Sequence, residues 1–336
     1  MNFCKSPGVL AIVLLALGGA GCALAAGEAG ERVADAELSL EAKNGIEMNG
    51  TQINGELLNG VKLNGVKLNG VKLNGVKMNG TELEGTPAGS SSAVSGEGFE
   101  GADMQAVLAD GTILTVHVAS VSTTEVPGLY TYVVLANGES ICGYDVDGNP
   151  ISAIPLEGTW NYVTGDHVDS PSQFTMACRG AALAKCVEWG YPRWDGWQES
   201  NGQSTQSVPF RYFHDACVRM VRADYCGDGV SHTIDGTTVD VWDAAGIQTQ
   251  TPGLALLPEA EWSPGGATCV KRTRYAALNG VSVQQYIQTH CPSRWAGTSG
   301  ACMGDASGGS LFFTQNGFGT PSETRPLLRN ASGEAE

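Results

Sequence analysis

The chain has 336 residues, and behind a front part of about 100 residues with a different composition it is long enough for one domain of about 220 residues. Its 19 Lys and Arg against 35 Asp and Glu give a formal net charge of −16, which repels nucleic-acid backbones, so no nucleic acid is expected as a partner. The 46 glycines and the low charged fraction of 16% argue against long exposed helices and favour turns, loops and short strands.

Residues 1–22 have the pattern of a secretion signal, because an apolar run from Val9 to Leu17 follows a basic start and small residues precede Cys22. The run is about half as long as the ~20 apolar residues that a membrane-spanning helix needs, so we expect export rather than a permanent anchor. Gly19-Ala20-Gly21-Cys22 resembles a bacterial lipobox, in which the cysteine is lipidated, although Gly19 stands where Leu is preferred. Ordinary cleavage after Ala25 is the alternative.

The cysteines predict an oxidised, exported domain. The chain has 10, and loss of Cys4 with the leader and of Cys22 to the leader or the lipid leaves an even set, as complete pairing requires. Their spacings match neither a zinc ribbon nor a Cys-x-x-Cys motif, so we predict no metal and no cofactor. The pairing stays open, since eight cysteines allow about a hundred connectivities. The predicted bridge residues are Cys142, Cys178, Cys186, Cys217, Cys226, Cys269, Cys291 and Cys302.

Residues 44–86 repeat every five positions, with Asn-Gly recurring from Asn44 to Asn79 and an apolar residue, often Leu, before each later Asn. Strands of about three residues are too short for a hairpin meander. The pattern resembles a pentapeptide repeat and predicts a short right-handed β-helix, in which residues about 20 apart stack, so that Lys62 would lie over Glu82. The alternative is a flexible stalk that lifts the domain from a membrane.

These patterns divide the chain into six segments. They are a lipoprotein-type signal peptide (1–22), a polar linker (23–43), the repeat (44–86), a Gly/Ser linker (87–101), the folded domain (102–320) and a flexible tail (321–336).

The first part of the folded domain predicts short antiparallel strands, because apolar and polar residues alternate from Met104 to Asn149 with Asp-Gly and Asn-Gly turns between them. Asp145 to Asn149 predicts a hairpin turn. A calcium loop is the alternative, but the Gly and Glu that an EF-hand needs are missing.

Two helices are predicted further along. Residues 180–189 place Cys186 on an apolar face and end before Gly190, and residues 209–223 place Cys217 on a second such face. A cysteine on an apolar face favours a buried bridge over a reactive thiol. The fold class we expect is α+β: a disulfide-stapled domain of short antiparallel strands and two or more helices, preceded by the pentapeptide-repeat β-helix stub.

Ionisable residues cluster around the second helix, and a histidine beside carboxylates is what general acid–base chemistry needs. The candidates are His214, Asp215, Asp224, Asp228 and His232. His214 and Asp224 lie about 15 Å apart along a continuous helix and cannot touch there. The alternative is structural: Asp224 caps a turn and His214 meets a backbone carbonyl.

Two further patterns have a functional and a structural interpretation. The segment around Ser307 is similar to the nucleophile loop of chymotrypsin-like proteases, but Ala306 interrupts it and we expect a surface loop. Aromatic residues close together could form a sugar-binding platform, although we expect them to fill the core. They are Trp189, Tyr191, Trp194 and Trp197.

The segment Arg222-Ala223-Asp224-Tyr225-Cys226-Gly227-Asp228-Gly229, with residues 210–220 before it, resembles the signature of the ADYC-domain family. Blocks around Cys142, Cys178, Cys269 and Cys291 agree, so that the resemblance covers about half of the chain, from Gly138 to Trp295. It implies an exported bacterial protein, typical of myxobacterial lipoproteins and often preceded by Asn-Gly repeats. It implies no activity.

We therefore expect an exported, lipid-anchored protein of the outer membrane or cell surface, or a secreted one if the lipobox is not used. Its expected role is that of a non-catalytic binding or structural module, attached to the membrane through its lipid and recognising an envelope protein or a glycan. The alternative is an exported hydrolase that uses His214 or His232 with Asp224 or Asp228. Convergence of His232 and two of the aspartates in a concave pocket would favour the enzyme.

Overall fold

A computed structural model describes the parts of the chain that form the fold, all within the unit Ala36–Glu336. The described residues are 41–44, 62–63, 67–68, 71–72, 76–85, 91–107, 113–126, 128–161, 164–170, 174–200, 205–300, 302, 313–314, 317–318 and 326–333. Cys22 and Ser307, with the predictions made for them, lie outside these residues.

The described residues form three α-helices and many short strands. The helices are α1 (Ala182–Glu188), α2 (Arg211–Arg222) and α3 (Val283–His290). The strands are β1 (Glu41–Asn44), β2 (Lys62–Leu63), β3 (Lys67–Leu68), β4 (Val71–Lys72), β5 (Val76–Asn79), β6 (Glu82–Gly85), β7 (Val94–Ser95), β8 (Asp103–Val107), β9 (Ile113–Thr123), β10 (Tyr130–Ala136), β11 (Glu139–Ser140), β12 (Ala153–Glu157), β13 (Thr159–Trp160), β14 (His167–Val168), β15 (Phe174–Cys178), β16 (Gly196–Ser200), β17 (Thr205–Pro209), β18 (Thr237–Asp243), β19 (Leu257–Ser263), β20 (Gly266–Val270), β21 (Ala277–Leu278), β22 (Val281–Ser282), β23 (Phe313–Thr314), β24 (Gly317–Phe318) and β25 (Leu328–Ser332).

The larger sheet has seven strands in the order β11-β10-β12-β15-β2-β8-β9, and β9 also pairs with β10. Six strands therefore close into an antiparallel ring, with β11 as an extension of β10. Strand alternation directs Val116, Val118, Tyr132 and Val134 into the ring's buried core.

This core also takes in residues from the segment between β2 and β8. Leu83 on β6 and Phe99 in a single 3-10 turn are both fully buried in it. The Tyr132 hydroxyl donates to the Thr81 carbonyl at 3.1 Å and accepts from the Leu83 amide at 3.0 Å. The packed region therefore extends into the segments that the sequence analysis assigned to the repeat and the linker.

Strands β12 and β15 form the wall between two hydrophobic clusters. Ala153 and Met176 face the ring core, whereas Ile154, Leu156 and Ala177 face a second cluster that contains the helices. Because both faces are covered, β15 is buried along its whole length and carries no exposed polar row.

A second, five-stranded antiparallel sheet has the order β1-β18-β25-β19-β20. Its central strand, β25, lies within the segment 321–336 that was predicted as a tail, so this part of the segment is folded. Helix α2 packs against this sheet and against α1, and nine of its twelve residues are buried. Among the described residues, no helix has the length and apolar character to cross a membrane.

Four disulfides join the eight predicted cysteines, which confirms the complete set. Cys142–Cys178 ties the end of β15 to the segment after β11, and Cys186–Cys217 joins α1 to α2. Cys226–Cys291 and Cys269–Cys302 hold the last third of the chain. The oxidised sulfurs are typical of a compartment outside the cytoplasm.

The predicted α+β class is wrong, because the fold is mostly antiparallel β-sheet with only three short helices in the described ranges. The β-helix stub is wrong as well. Described strands of the repeat pair antiparallel, β3 with β4 and β5 with β6, whereas coils of a β-helix stack in parallel. The β5–β6 hairpin turns through Gly80, whose φ of 63° lies in the left-handed region that glycine adopts without strain.

Candidate functional site

The ADYC-like signature begins at the end of α2. Ala223 has φ 50° and ψ 40°, a left-handed conformation in which helices commonly end on glycine. The Ala223 amide bonds to the Met220 carbonyl and the Asp224 amide to the Arg219 carbonyl. These two bonds form a Schellman cap, which turns the chain sharply and directs the next residues back into the fold.

Asp224 is fully buried and organises the loop that follows. Its carboxylate pairs with Arg219 at 2.6 Å and accepts bonds from the Asp228 and Gly229 amides. Burial raises the pKa of Asp224, and the positive charge of Arg219 opposes this shift. Because two loop amides bond to its carboxylate, Asp224 caps this turn, which is the structural alternative given for it above.

Tyr225 belongs to a buried polar network under α2. Its hydroxyl donates to Glu259 at 2.9 Å and accepts from the Arg274 amide, and its ring stacks on Trp262. Arg274 donates two hydrogen bonds to the Glu259 carboxylate. It also donates to the carbonyl oxygens of Met220 and Val221 in the last turn of α2. Burial alone would raise the pKa of Glu259, but Arg274 holds it below its ordinary value. The network therefore fixes the helix end to β19.

The remaining residues of the signature complete this attachment. Cys226 is disulfide-bonded to Cys291 at the end of α3. Gly227 has φ 68°, and a Cβ there would lie 1.8 Å from the Gly265 carbonyl oxygen, so only glycine fits. Ala223 thus ends α2, Asp224 holds the loop that follows, Tyr225 bonds to β19 and Cys226 is bonded to the end of α3.

The two histidines of the predicted catalytic set lie in separate surroundings. His214 is fully buried, and its Nε2 lies 3.0 Å from the Leu183 carbonyl oxygen, which joins α2 to α1. Burial lowers the pKa of His214, and Nε2 is the donor in this bond because a carbonyl oxygen can only accept. His232 bonds through Nδ1 to the Ala223 carbonyl and packs 4.6 Å from the Tyr286 ring. The bond of His214 is the backbone contact that its structural interpretation predicts.

One predicted aspartate lies near a predicted histidine, since Oδ1 of Asp215 is 3.7 Å from Nδ1 of His214. Asp228 is exposed and accepts from the Tyr286 hydroxyl at 2.8 Å, while Asp215 pairs with Arg193. Although burial opposes it, the Arg193 guanidinium lowers the pKa of Asp215. Within the described ranges, His232 forms no hydrogen bond or ion pair with Asp215, Asp224 or Asp228.

The loop at Asp145 is a turn. Its carboxylate accepts from the amides of Asp147 and Asn149 and from the side chain of Asn149. These bonds lower the pKa of Asp145. Among the described residues, no group of three or more His, Cys, Asp or Glu side chains is arranged to hold a metal ion.

An open cleft of about 310 Å³ lies beside the predicted aromatic platform. Its lining includes Gly80, His167, Asp169, Arg193, Trp194 and Arg211. The platform is only partly assembled: Tyr191 is fully buried, Trp189 and Trp197 pack against the core, and Trp194 is 43% exposed in the cleft. Three of the four aromatics therefore have the predicted core role, and Trp194 is accessible to a ligand.

The sequence did not point to the other cleft residues. His167 and Arg211 lie far apart in the chain, and although Arg211 falls in the stretch 210–220 before the signature, nothing in the sequence linked it to His167. One signal of a binding cleft was present in the sequence. Arg193 and Trp194 are adjacent shortly after a predicted helix, and together they offer a planar cation and an aromatic face.

A larger depression of about 590 Å³ is lined by Lys271, Arg272, Arg274 and Trp295 among others. Two of its cations are already bonded, since Arg274 pairs with Glu259 and Arg272 donates to the Ser332 and Gly333 carbonyls.

Comparison with known proteins gives one finding about identity. No curated protein and no solved structure matches the chain. The family model of the ADYC domain matches residues 96–276, which is 181 of the 336 residues and more than half of the chain. The matched part contains the ring strands β8 to β15, both helices α1 and α2, and the signature at Ala223–Cys226. The chain therefore belongs to the ADYC-domain family.

Proposed function

We propose that this protein is an exported, lipid-anchored module of the cell envelope that binds an envelope protein or a glycan and performs no catalysis. The observation that carries the proposal is the use of the signature residues. Asp224, Tyr225 and Cys226 are all bonded within the fold, and the cleft that is open to solvent is lined by other residues. A motif used in this way supports a rigid scaffold, and a rigid scaffold suits recognition.

Export and lipidation are supported by the four disulfides and by the signal pattern that ends at Cys22. The test is metabolic labelling with radioactive palmitate in a bacterium that processes lipoproteins. We expect label in the wild type and in Cys4→Ala, the matched control, and none in Cys22→Ala. Equal labelling of the wild type and Cys22→Ala would contradict the lipid anchor.

The oxidised state is tested independently by alkylation of the native, exported protein. We expect none of the eight domain cysteines to react before reduction and all of them to react after it. Several free thiols in the native protein would contradict the scaffold role.

The absence of catalysis is tested with a broad panel of hydrolase substrates. Asp228→Asn is the sharpest variant, because Asp228 is exposed and the change keeps its shape. His232→Gln is its partner variant. We expect no turnover by the wild type. Turnover that both substitutions abolish would contradict the proposal and favour the hydrolase.

A further inference from the structure

The cleft beside Trp194 presents an aromatic face at a fixed position. The indole is 43% exposed, and a Cβ on Gly80 would lie 3.0 Å from its Nε1. The glycine turn of the β5–β6 hairpin therefore supports one edge of the ring and leaves much of the remainder open. An exposed tryptophan that is held in this way loses little freedom when a ligand stacks on it.

The guanidinium of Arg193, which also lines the cleft, is fixed by two contacts inside the protein. Arg193 lies 5.3 Å over the Trp160 ring and pairs with Asp215, and only 10% of its side chain is exposed. Its charge is thus balanced inside the protein, and its planar group is fixed by a cation–π contact and an ion pair. Such a group offers donors of defined direction rather than a free positive charge.

The lining of the cleft includes both donors and acceptors. Arg211, the first residue of α2, is exposed and bonds to the Tyr212 hydroxyl at 3.0 Å. The Asp169 side chain is 91% exposed and lies 3.3 Å from Nδ1 of His167. His167 is in turn fixed through Nε2 to the Glu157 carbonyl at 2.9 Å. The cleft is therefore lined by a carboxylate acceptor, by guanidinium groups and by one exposed indole.

This combination selects a class of ligand. Vicinal hydroxyl groups of a sugar accept from guanidinium and donate to carboxylate, and the apolar face of a pyranose ring packs on an indole. A polyanion is disfavoured, because Asp169 borders the cleft and the whole chain has a formal charge of −16. The volume of about 310 Å³ is at the lower end of the usual range of ligand pockets, which favours one or two sugar rings.

We propose that the cleft lined by Trp194, Arg193, Arg211 and Asp169 binds a neutral glycan, with one pyranose ring stacked on the Trp194 indole. This inference rests on the proposed function as a binding module and names its ligand class.

The test is isothermal titration calorimetry of the purified, oxidised protein with cellohexaose, chitohexaose, maltohexaose and, as the anionic probe, hexagalacturonate. We expect at least one neutral oligosaccharide to bind with a Kd below about 1 mM. Trp194→Ala should weaken that binding about tenfold or more, and Arg211→Met about threefold or more. Tyr144→Ala, which removes an exposed aromatic that does not line the cleft, is the matched control and should leave the Kd unchanged.

Salt gives a second readout. Raising NaCl from about 0.05 to 0.5 M should change the Kd of a neutral glycan less than about twofold, because no net charge is neutralised on binding. The thermal unfolding midpoint of each variant shows whether that variant is folded. If Trp194→Ala does not fold, the Kd of Arg211→Met tests the site instead.

Three outcomes would overturn the inference: no neutral oligosaccharide binds, only hexagalacturonate binds, or binding persists unchanged in both cleft variants. None of these outcomes changes the result expected from the palmitate labelling or from the alkylation experiment. Failure of the glycan site and failure of the lipid-anchored scaffold are therefore distinguishable.

Discussion

Arg274 and Glu259 form an ion pair with no solvent contact at either side chain. Removal of one partner leaves the other as a buried charge, so we expect Glu259→Leu to lower the free energy of unfolding by about 3–5 kcal/mol. In the double variant with Arg274→Met, the loss should be smaller than the sum of the single losses by about 1 kcal/mol or more. Guanidinium chloride unfolding without reductant measures all three variants. Additive losses would show that the pair is not coupled.

Lys185 on α1 gives a pH-dependent contribution to stability. Burial lowers the pKa of Lys185 from 10.5 to about 8, although Asp235 and Glu188 oppose the shift. Between these two values the unfolded chain holds a proton that the folded chain has released, so this contribution to folding stability rises with pH across that window.

We therefore expect the stability of the wild type relative to Lys185→Met to increase from pH 8 to about pH 10. Urea unfolding at a series of pH values gives this difference, and Lys271→Met, which removes the same charge away from α1, is the control. A difference that stays flat or falls across the window would contradict the shift.

Single-residue roles were predictable where the partner is a backbone group, and not where it is a distant side chain. A buried polar residue on a helix or just after its end must find a carbonyl or a loop amide, and His214 and Asp224 both do. The sequence could not identify Glu259 as the partner of Tyr225, 34 positions away, because nothing local links the two. Of the cleft residues, Trp194 was named as part of a possible platform, whereas His167 and Asp169 were missed for the same reason.

At the scale of elements, the periodicity of apolar residues located α1 and α2 to within two residues of their ends. Helix α3 was missed, although Ser282 accepts from the Gln285 amide and Ser-x-x-Gln is the signal of a capping box. The five-residue repeat was misinterpreted because its period fits a β-helix, whereas the β5–β6 hairpin uses strands of four residues. Whether neighbouring strands pair antiparallel or stack in parallel depends on contacts with the rest of the fold, and a five-residue period does not specify those contacts.

The Cys226–Cys291 disulfide links two elements, the end of α2 and the end of α3, across a sequence separation of 65. Replacing both cysteines with alanine should lower the free energy of unfolding by about 4 kcal/mol, because the unfolded chain regains the freedom of that loop. Since α3 lies outside the ring, we expect amide hydrogen exchange to accelerate in α3 while β9 and β10 keep their protection.

The pair Cys142→Ala and Cys178→Ala is the matched control for this experiment, because its disulfide lies in the ring cluster and should expose β10 and β15 instead. Identical exchange patterns in the two double variants would show that the disulfides do not stabilise separate elements.

At the scale of the whole molecule, the fold is closed by contacts between distant parts of the chain. The ring depends on β2 between β15 and β8, and the second sheet places β1 and β25 on either side of β18. Composition and turn signals indicated short antiparallel strands, but strand order is set by long-range pairing, so neither closure was predictable. The segments before and after the signature are consequently integral to the packing.

Leu83 gives the sharpest test of this extended core. It lies 13 residues upstream of the family match at residue 96, yet it is fully buried in the ring cluster. We expect Leu83→Ala to lower the free energy of unfolding by about 2–5 kcal/mol, since a buried cavity replaces the side chain. Leu257→Ala, at a leucine that is 46% exposed, is the matched control and should cost about 0.5 kcal/mol or less. Chemical denaturation under oxidising conditions measures both, and equal losses would mean that the β5–β6 hairpin does not stabilise the ring.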